Sequence, residues 1–564
     1  MTSSPQLEKA QPVPDGLLGI DVGGSGIRVG VIGPSGALRS LISRPDPGST
    51  DQFNPELTWL AVASAIRELI TAGARVRAVG LTAHLATVLT GPDGRPSAPG
   101  MLWRDNRAWR EAQELGALLG PELESVTGRL ASSESAAARI RMLGKTRPEV
   151  LRRTRWLLSL KDYLTLQLTG IPCTDPATAS YTQLFDVRQR RWSARIAREC
   201  GVLMDILPTV RPSVALAGGV TPAAAQLTGL EPRTPVAVGG PDGSTGALGV
   251  GAVRAGLTVD IAGTTDVLLH VTDMPVVRVS GGAVLNAYLL DDLWTVGGPT
   301  GLTGGGLDWL AATLGHESAD AAYRALGPTL DAADPGGLMI RTTLTGRRLP
   351  GWDARIRGRI DGISGEHGPA HLIRAAEEGS AFEVRLGIDA IRATGAEVSH
   401  VILAGGPAVS PRAAQLRANV WGVEIGTAAE RHASLRGAAL AASVAAGQFA
   451  DVREAAAAIA PPTQRYDPDP DEAAAIERRY RRWREVMELL GNGRAGGGRS
   501  RRIPGTSSFP AMMRVFPGVG DLPGRTRVSV GCAPNISLFT SQGRRGVLDS
   551  EDNRIFPLSR RPAA

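Results

Sequence analysis

Two aspartates stand beside glycine-rich turns, and a carboxylate next to bare backbone suits phosphate chemistry. The first is Asp21, which precedes Gly23, Gly24, Ser25 and Gly26. A carboxylate ending a strand at such a turn can hold Mg2+ through water while backbone N–H groups face phosphate. An ordinary hairpin turn fits the same residues. The second is Asp242, set in Gly239-Gly240-Pro241-Asp242-Gly243-Ser244-Thr245-Gly246. Small neighbours let a ligand hydroxyl reach its carboxylate. Asp is also a good N-cap, and from the residues alone a helix start is the favoured reading. Gly263-Thr264-Thr265 follows the apolar run TVDIA, and Gly405-Gly406 follows HVILA. Such turns either lay a phosphate or a flat base on the backbone or make a tight connection.

Two other nucleotide motifs fail. Gly144-Lys145-Thr146 imitates the end of a P-loop, but Arg139 stands where that motif needs glycine. A formal G-x-G-x-x-G at Gly491, Gly493 and Gly496 follows a helix and lacks the preceding strand of a dinucleotide fold. Cys173, Cys200 and Cys532 are far apart, which gives neither a metal-ligand spacing nor a disulfide framework. That pattern predicts a reducing, cytoplasmic location.

These residues need elements to position them. LLGIDV at 17–22 and IRVGVI at 27–32 read as two strands around the first glycine turn. TVDIA at 258–262 and DVLLHV at 266–271 repeat that hairpin about 240 residues later. Two copies of one phosphate-sized hairpin suggest a duplicated architecture with a ligand held between similar domains. Between them the pattern predicts helices at 57–72, 104–118 and 150–170, and strands at 76–81 and 236–240. Helices at 306–314, 369–394, 411–421, 433–447 and 471–490 and a strand at 400–404 complete the body. From Gly491 the chain turns arginine- and glycine-rich without periodicity, and disorder is expected over 491–564, as over the polar stretch 1–15.

The 564 residues, 43% hydrophobic and 21% charged, are those of a globular protein of several domains. No apolar run reaches 18 residues and the N-terminus has no apolar h-region, so neither a membrane span nor a secretory signal is expected. The net charge of +7 raises nucleic-acid binding. Much of that charge lies in the tail, and aromatic residues at 4% are too sparse for base-stacking platforms. No nucleic-acid partner is therefore expected.

Taken in order, these segments resemble the FGGY family, which includes xylulose, ribulose, gluconate and glycerol kinases. GIDVGGSGIRVGVI at 19–32 and AGTTDVLL at 262–269 resemble its two phosphate hairpins. AVGLTAHLATVLTGPDGRPSAPGMLWRDNRA at 78–108 resembles the sugar-loop block, and VGGPDGSTGALGVGAV at 238–253 the block with the catalytic Asp. The stretch 352–385 resembles the C-terminal signature region, and LAGGPAVSPRAAQLRANVWGVEI at 403–425 the adenosine block. Three departures stand out. Gly24 replaces a usual Thr, Thr82-Ala83-His84-Leu85-Ala86 replaces the xylulose-kinase sugar loop, and Asp266 replaces a small residue.

The resemblance implies an α/β fold of two RNase H-like, actin- and hexokinase-type domains, 16–252 and 253–460, with a cleft between them. A terminal helix at 461–490 would follow. It implies ATP-dependent phosphorylation of a sugar or sugar derivative, with a xylulose-like pentulose favoured and gluconate or a polyol next. Asp242 would be the catalytic base and a substrate contact, and Asp21 would hold Mg2+ through water. Gly23, Ser25, Arg28, Gly263 and Thr264 would meet the phosphates, and Gly304, Gly406 and Ser410 the nucleotide. His84, Trp103 and Asp105 would shape the sugar pocket. A homodimer is compatible with this picture. Two other classes compete: a non-catalytic sugar or nucleotide sensor on the same fold, and a chaperone-type ATPase of the actin-like superfamily.

Overall fold

The computed structural model describes residues 16–489 apart from Ser25, 46–50, 276–281, Ala354, 429–430 and 460–462. In the C-terminal stretch it describes 537–539, 545–548 and 555–557. The chain divides into two units, Met1–Ala495 and Gly496–Ala564. Among the described residues the second contains a three-stranded antiparallel sheet, Ser537–Phe539, Arg545–Leu548 and Ile555–Pro557. The rest of 491–564 and all of 1–15 lie outside the described residues, with Cys532 and Gly491, Gly493 and Gly496 among them.

The first half is built on strands β1 (Gly16–Gly23), β2 (Gly26–Ile32) and β3 (Leu38–Arg44), each antiparallel to the next. Helix α1 (Pro55–Thr71) leads to β4 (Val76–Ala83), which runs parallel to β1. Helix α2 (Leu160–Thr169) precedes β5 (Leu216–Gly219), β6 (Pro235–Ala237) and the short β7 (Gly240–Pro241). The sheet order is β5-β6-β4-β1-β2-β3, with β7 on β4. β7 delivers the chain into helix α3 (Asp242–Gly249).

The second half repeats this plan. β8 (Thr258–Ala262) and β9 (Val267–Thr272) form the second hairpin, extended by β10 (Val284–Ala287) and β11 (Trp294–Pro299). After helices α4 (Gly304–Thr313) and α5 (Pro369–Arg392), β12 (His400–Gly405) lies parallel to β8. Helix α6 (Pro411–Trp421), β13 (Glu424–Ala428), helix α7 (Ala433–Ala445), β14 (Thr463–Tyr466) and helix α8 (Pro470–Leu489) follow. The order is β10-β11-β9-β8-β12-β13-β14. In both sheets a hairpin strand has its antiparallel partner on one side and a parallel strand on the other. The hairpin repeat legible in the sequence therefore reflects two similar sheets.

β1 alternates its faces as a strand must. Leu18, Ile20 and Val22 enter a core with α1 and α2, while Leu17 packs under Leu435 and Ala439 of α7. Glycine allows that close approach. A Cβ at Gly19 would lie 2.5 Å from the Leu435 carbonyl oxygen, and one at Gly80 1.8 Å from that of Ala438. α3 and α7 also cross backbone to backbone at Gly249 and Gly437. Asp242 thus rides on the helix pair that joins the halves. A third core, around Leu115, Ile140 and Leu157, belongs to the insertion between β4 and β5.

The predicted helix at 150–170 is corrected. Pro148–Arg153 and α2 are separate helices, with the strand Trp156–Leu158 between them paired to Val88–Thr90. Ser159 and Asp162 form a capping box that starts α2 afresh, which a helical charge pattern hides. The predicted 104–118 helix begins only at Trp109. α8 is amphipathic as expected, with Tyr480, Trp483 and Met487 inserted in the core of the second half. No helix of the described residues is long and apolar enough to cross a membrane.

Candidate active site

A cavity of about 1210 Å³ lies where the two hairpins face each other. Asp21, Gly23, Gly24, Arg28, His84 and Trp103 reach it from the first half, and Asp242 and Gly243 from the joining helix. Gly263, Thr264, Thr265 and Gly405 line it from the second half. Residues more than 200 positions apart in sequence therefore meet in one space.

Asp242 is the first residue of α3, and Pro241 occupies the cap position. Its Oδ1 accepts the Gly243 N–H at 2.8 Å, so the carboxylate is anchored by its neighbour's backbone. β7 pairs with β4 so that Gly240 lies opposite Thr82, and Thr82 Oγ1 donates to the Gly240 carbonyl at 2.9 Å. Burial pushes the Asp242 carboxyl above the usual range, and the charge of His84 opposes that rise. A raised carboxylate pKa means a stronger base.

Asp21 is buried on β1, with Arg28 Nη1 3.3 Å from its Oδ2. Burial, then the charge of Asp242, pushes its pKa up to about 6. Its Oδ1 has no hydrogen-bond partner. A buried hard oxygen without a partner, beside a second carboxylate and glycine backbone, fits Mg2+. Among the described residues no cluster of three or more His, Cys, Asp or Glu side chains could hold a metal alone. Water and phosphate oxygens would complete the sphere.

The other predicted residues divide. His84 is buried against Phe53, ring centroids 6.2 Å apart, and lines the cavity. Trp103 also lines it. Asp105 does not: it is buried behind the wall, where Arg107 Nη2 donates to it at 2.6 Å. Burial raises its pKa, but the Arg107 hydrogen bonds outweigh that and hold it below the usual range. Gly304 packs on the second hairpin, where a Cβ would lie 2.2 Å from the Gly263 carbonyl oxygen. Ser410 caps α6, its Oγ accepting from Ala413 N at 3.3 Å, and Gly406 opens a short 3-10 turn after β12. These three are not in the cavity lining, whereas Gly405 is. Ser25 lies outside the described residues.

Asp266 does not confront phosphate. It is buried outside the cavity lining, where Thr303 Oγ1 donates to its Oδ1 at 2.9 Å and Arg417 Nη2 is 3.9 Å from Oδ2. It ties the second hairpin to the turn before α4 and to α6. Burial raises the Asp266 carboxyl, with Arg417 and Thr303 opposing. Burial and the Asp266 charge push buried Asp260 well above the usual range. The P-loop imitation also resolves: Lys145, in the last turn of a helix, pairs with Glu111 and Glu114.

The FGGY family of carbohydrate kinases matches this sequence in both parts, its N-terminal domain over residues 17–249 and its C-terminal domain over 259–446. The chain belongs to the FGGY family of carbohydrate kinases. As such it is a phosphotransferase that carries out ATP-dependent phosphorylation of a sugar, and the sensor and chaperone-type readings give way. The Escherichia coli xylulose kinase is 28% identical over 84% of this chain and 99% of its own. The Bacillus subtilis gluconokinase is 24% identical over 81% and 92%. The structure of a Brucella ovis xyloylose kinase is 26% identical, with a TM-score of 0.76 over 84% of this kinase and 99% of that chain. A gluconate kinase from Lactobacillus acidophilus, 21% identical with a TM-score of 0.78, shares the fold.

Sequence reasoning missed several cavity residues of the kinase. Arg129, Glu134, Tyr181 and Arg348 line the cavity. The Arg129 guanidinium stacks on Tyr181 at 4.2 Å and donates through Nη2 to Asn286 Oδ1 of the other half. Four helices and two strands separate Arg129 from Tyr181 in the chain, so no local pattern signals the pair. Lys161 is the other omission. It is buried, with Nζ 2.6 Å from Asp162 Oδ1, 3.3 Å from Asp175 Oδ1 and 3.0 Å from the Val238 carbonyl oxygen.

Proposed function

We propose that this kinase transfers the γ-phosphoryl group of ATP to a hydroxyl of a xylulose-like pentulose, with Asp242 as base. The carrying observation is the position of Asp242 in the cavity between the two glycine hairpins, within electrostatic reach of His84 and Asp21. A sugar hydroxyl is a poor nucleophile, and its proton must leave as the bond to phosphorus forms. The Asp242 carboxylate takes that proton. Thr264 and the backbone of Gly23 and Gly263 donate to phosphate oxygens, and Arg28 adds positive charge. Ser25 is assigned the same role from its place in the first hairpin. Asp21 would hold Mg2+ through water. Bound there, the ion supplies charge neutralisation for the phosphates. Gly304, Gly406 and Ser410 support the nucleotide side through backbone shape. His84 and Trp103 form the sugar wall, and Asp105 steadies it through Arg107.

The xylulose kinases among the relatives favour a pentulose. A second substrate reading, an aldonate, is favoured by Arg129, a buried cation on the cavity wall whose Nε has no hydrogen-bond partner. A screen of ADP release across ketoses, aldonates and polyols separates the two. Release with xylulose-type ketoses and not with aldonates supports the first, the reverse supports the second, and release with neither overturns both.

His84 gives a separate check. Its loss would leave a sugar hydroxyl without a partner, worth about tenfold in affinity. His84→Ala is expected to raise the sugar KM by about that factor and leave the ATP KM near wild type. Unchanged constants for both substrates would make His84 a packing residue against Phe53.

A further inference from the structure

The loops on either side of one end of the cavity are each braced before they meet. In the first half, Ser132 N donates to Gln183 Oε1 at 3.1 Å, and Gln183 Nε2 to the Leu130 carbonyl at 2.5 Å. Ser133 Oγ donates to Asn106 Oδ1 at 2.8 Å. Gln183 is itself buried with φ +59°, a conformation that costs a non-glycine residue energy and persists only where surroundings enforce it. In the second half, Leu349 N donates to the Pro299 carbonyl at 2.9 Å and Trp352 N to the Arg348 carbonyl at 2.6 Å. Trp352 Nε1 donates to the Gly282 carbonyl at 2.6 Å.

One side chain bridges these loops. Arg348, from the second half, places Nε 3.5 Å from Glu134 Oε1 and its guanidinium 4.2 Å from the ring centroid of Trp103. Glu134 and Trp103 both belong to the first half, and all three residues line the cavity. We propose that Arg348 is a positioning residue that clasps the two halves over the sugar end of the cleft through Trp103 and Glu134. The clasp makes sugar phosphorylation outrun hydrolysis of ATP by water. It rests on the proposed function, in which the sugar lies between Trp103 and Asp242.

The strength of the contact suits the task. The ion pair is part-exposed, with the Arg348 and Glu134 side chains 22% and 24% accessible. Such a pair and a cation over an indole are each modest, so the clasp opens on every turnover yet shifts the closed fraction about tenfold. With the clasp open, water competes with the sugar hydroxyl. Its oxygen bonds to the γ-phosphorus, the bond to the ADP oxygen breaks, and the water proton passes to Asp242. Closure excludes that water.

The test measures ADP release with and without sugar, together with both KM values, in the full-length chain. In Arg348→Ala the sugar KM and the ratio of sugar-independent hydrolysis to sugar phosphorylation are each expected to rise about tenfold, with the ATP KM within about twofold of wild type. Glu134→Gln is expected to move the same two readouts in the same direction, and it carries the test if Arg348→Ala does not fold. Arg348→Lys is expected to restore part of the effect. Reversing the pair, Glu134→Arg with Arg348→Glu, is expected to perform better than either single reversal. An active wild type whose Arg348→Ala and Glu134→Gln variants keep both readouts overturns the clasp alone. A wild type that releases no ADP with any sugar overturns the kinase reading and the clasp with it.

Discussion

Asp242→Asn is expected to lower kcat by about 10²- to 10⁴-fold while ATP and sugar still bind. Asn keeps the shape of the carboxylate and still offers an oxygen to the Gly243 N–H, which lies 2.8 Å from Oδ1. It cannot take a proton. Folding should be unaffected, because the cap position of α3 is Pro241 and Asp242 is not its capping side chain. Burial raises the Asp242 pKa, which makes the lost base stronger than an exposed carboxylate and places the effect on turnover. Steady-state turnover beside calorimetric sugar binding checks this. Turnover within a few-fold of wild type would remove Asp242 from the chemistry. Parallel loss of binding and melting temperature would make it a structural residue of α3.

Lys161→Ala is expected to cost about 3–5 kcal/mol of stability, because removing one partner of a buried ion pair strands the other. Here two carboxylates are stranded, Asp162 and Asp175, both fully buried with Lys161. Burial alone would lower the Lys161 pKa, but the charges of Asp162 and Asp175 more than reverse it. A lysine held above its ordinary pKa stabilises the fold at all pH values below that ordinary value, and the benefit fades only as pH rises through the folded pKa. Lys161→Ala loses the ammonium that both carboxylates face, so the deficit should be present across the neutral range, where the lysine is charged. Thermal melts of wild type and variant from pH 5 to 9 would show it. A deficit that is absent would contradict the ion-pair account. Activity should fall as well, since Lys161 Nζ holds the Val238 carbonyl at 3.0 Å, four residues before Asp242.

The two predictions differ in how far sequence could lead to them. Asp242 is singled out by the resemblance of its block to that of a known family, since its small neighbours alone fit a helix start better. Lys161 announces nothing: in the sequence it is one charged residue in a helical stretch. Its importance comes from β6, β7 and α2 converging, which is a matter of tertiary packing. Arg348 is similar, since its partners Glu134 and Trp103 lie more than 200 residues earlier in the chain.

Local pattern went wrong where tertiary pairing overrode it. The stretch 150–170 carries a helical arrangement of charge, yet Trp156–Leu158 pairs as a strand with Val88–Thr90. Asp266 follows Gly263-Thr264-Thr265, where pattern alone leaves open whether it points away from phosphate or meets Mg2+. Its strand register and Thr303 turn it into the interior of the second half.

By itself the sequence determined the two glycine hairpins, the alternation of strands and helices, Asp21 and Asp242 beside phosphate-sized turns, and membership in a kinase family. The hairpins, the alternation and the turn aspartates are local properties set by residue type and spacing, whereas the family rests on the resemblance of six blocks in order along the chain. Only the tertiary structure decided which residues face the cavity. It admitted His84, Trp103, Arg129 and Arg348, and left Asp105, Gly304, Gly406 and Ser410 behind the lining. The physical reason is that burial, electrostatic shifts and contacts across the cleft depend on strand order and on the backbone crossing of α3 and α7 at Gly249 and Gly437.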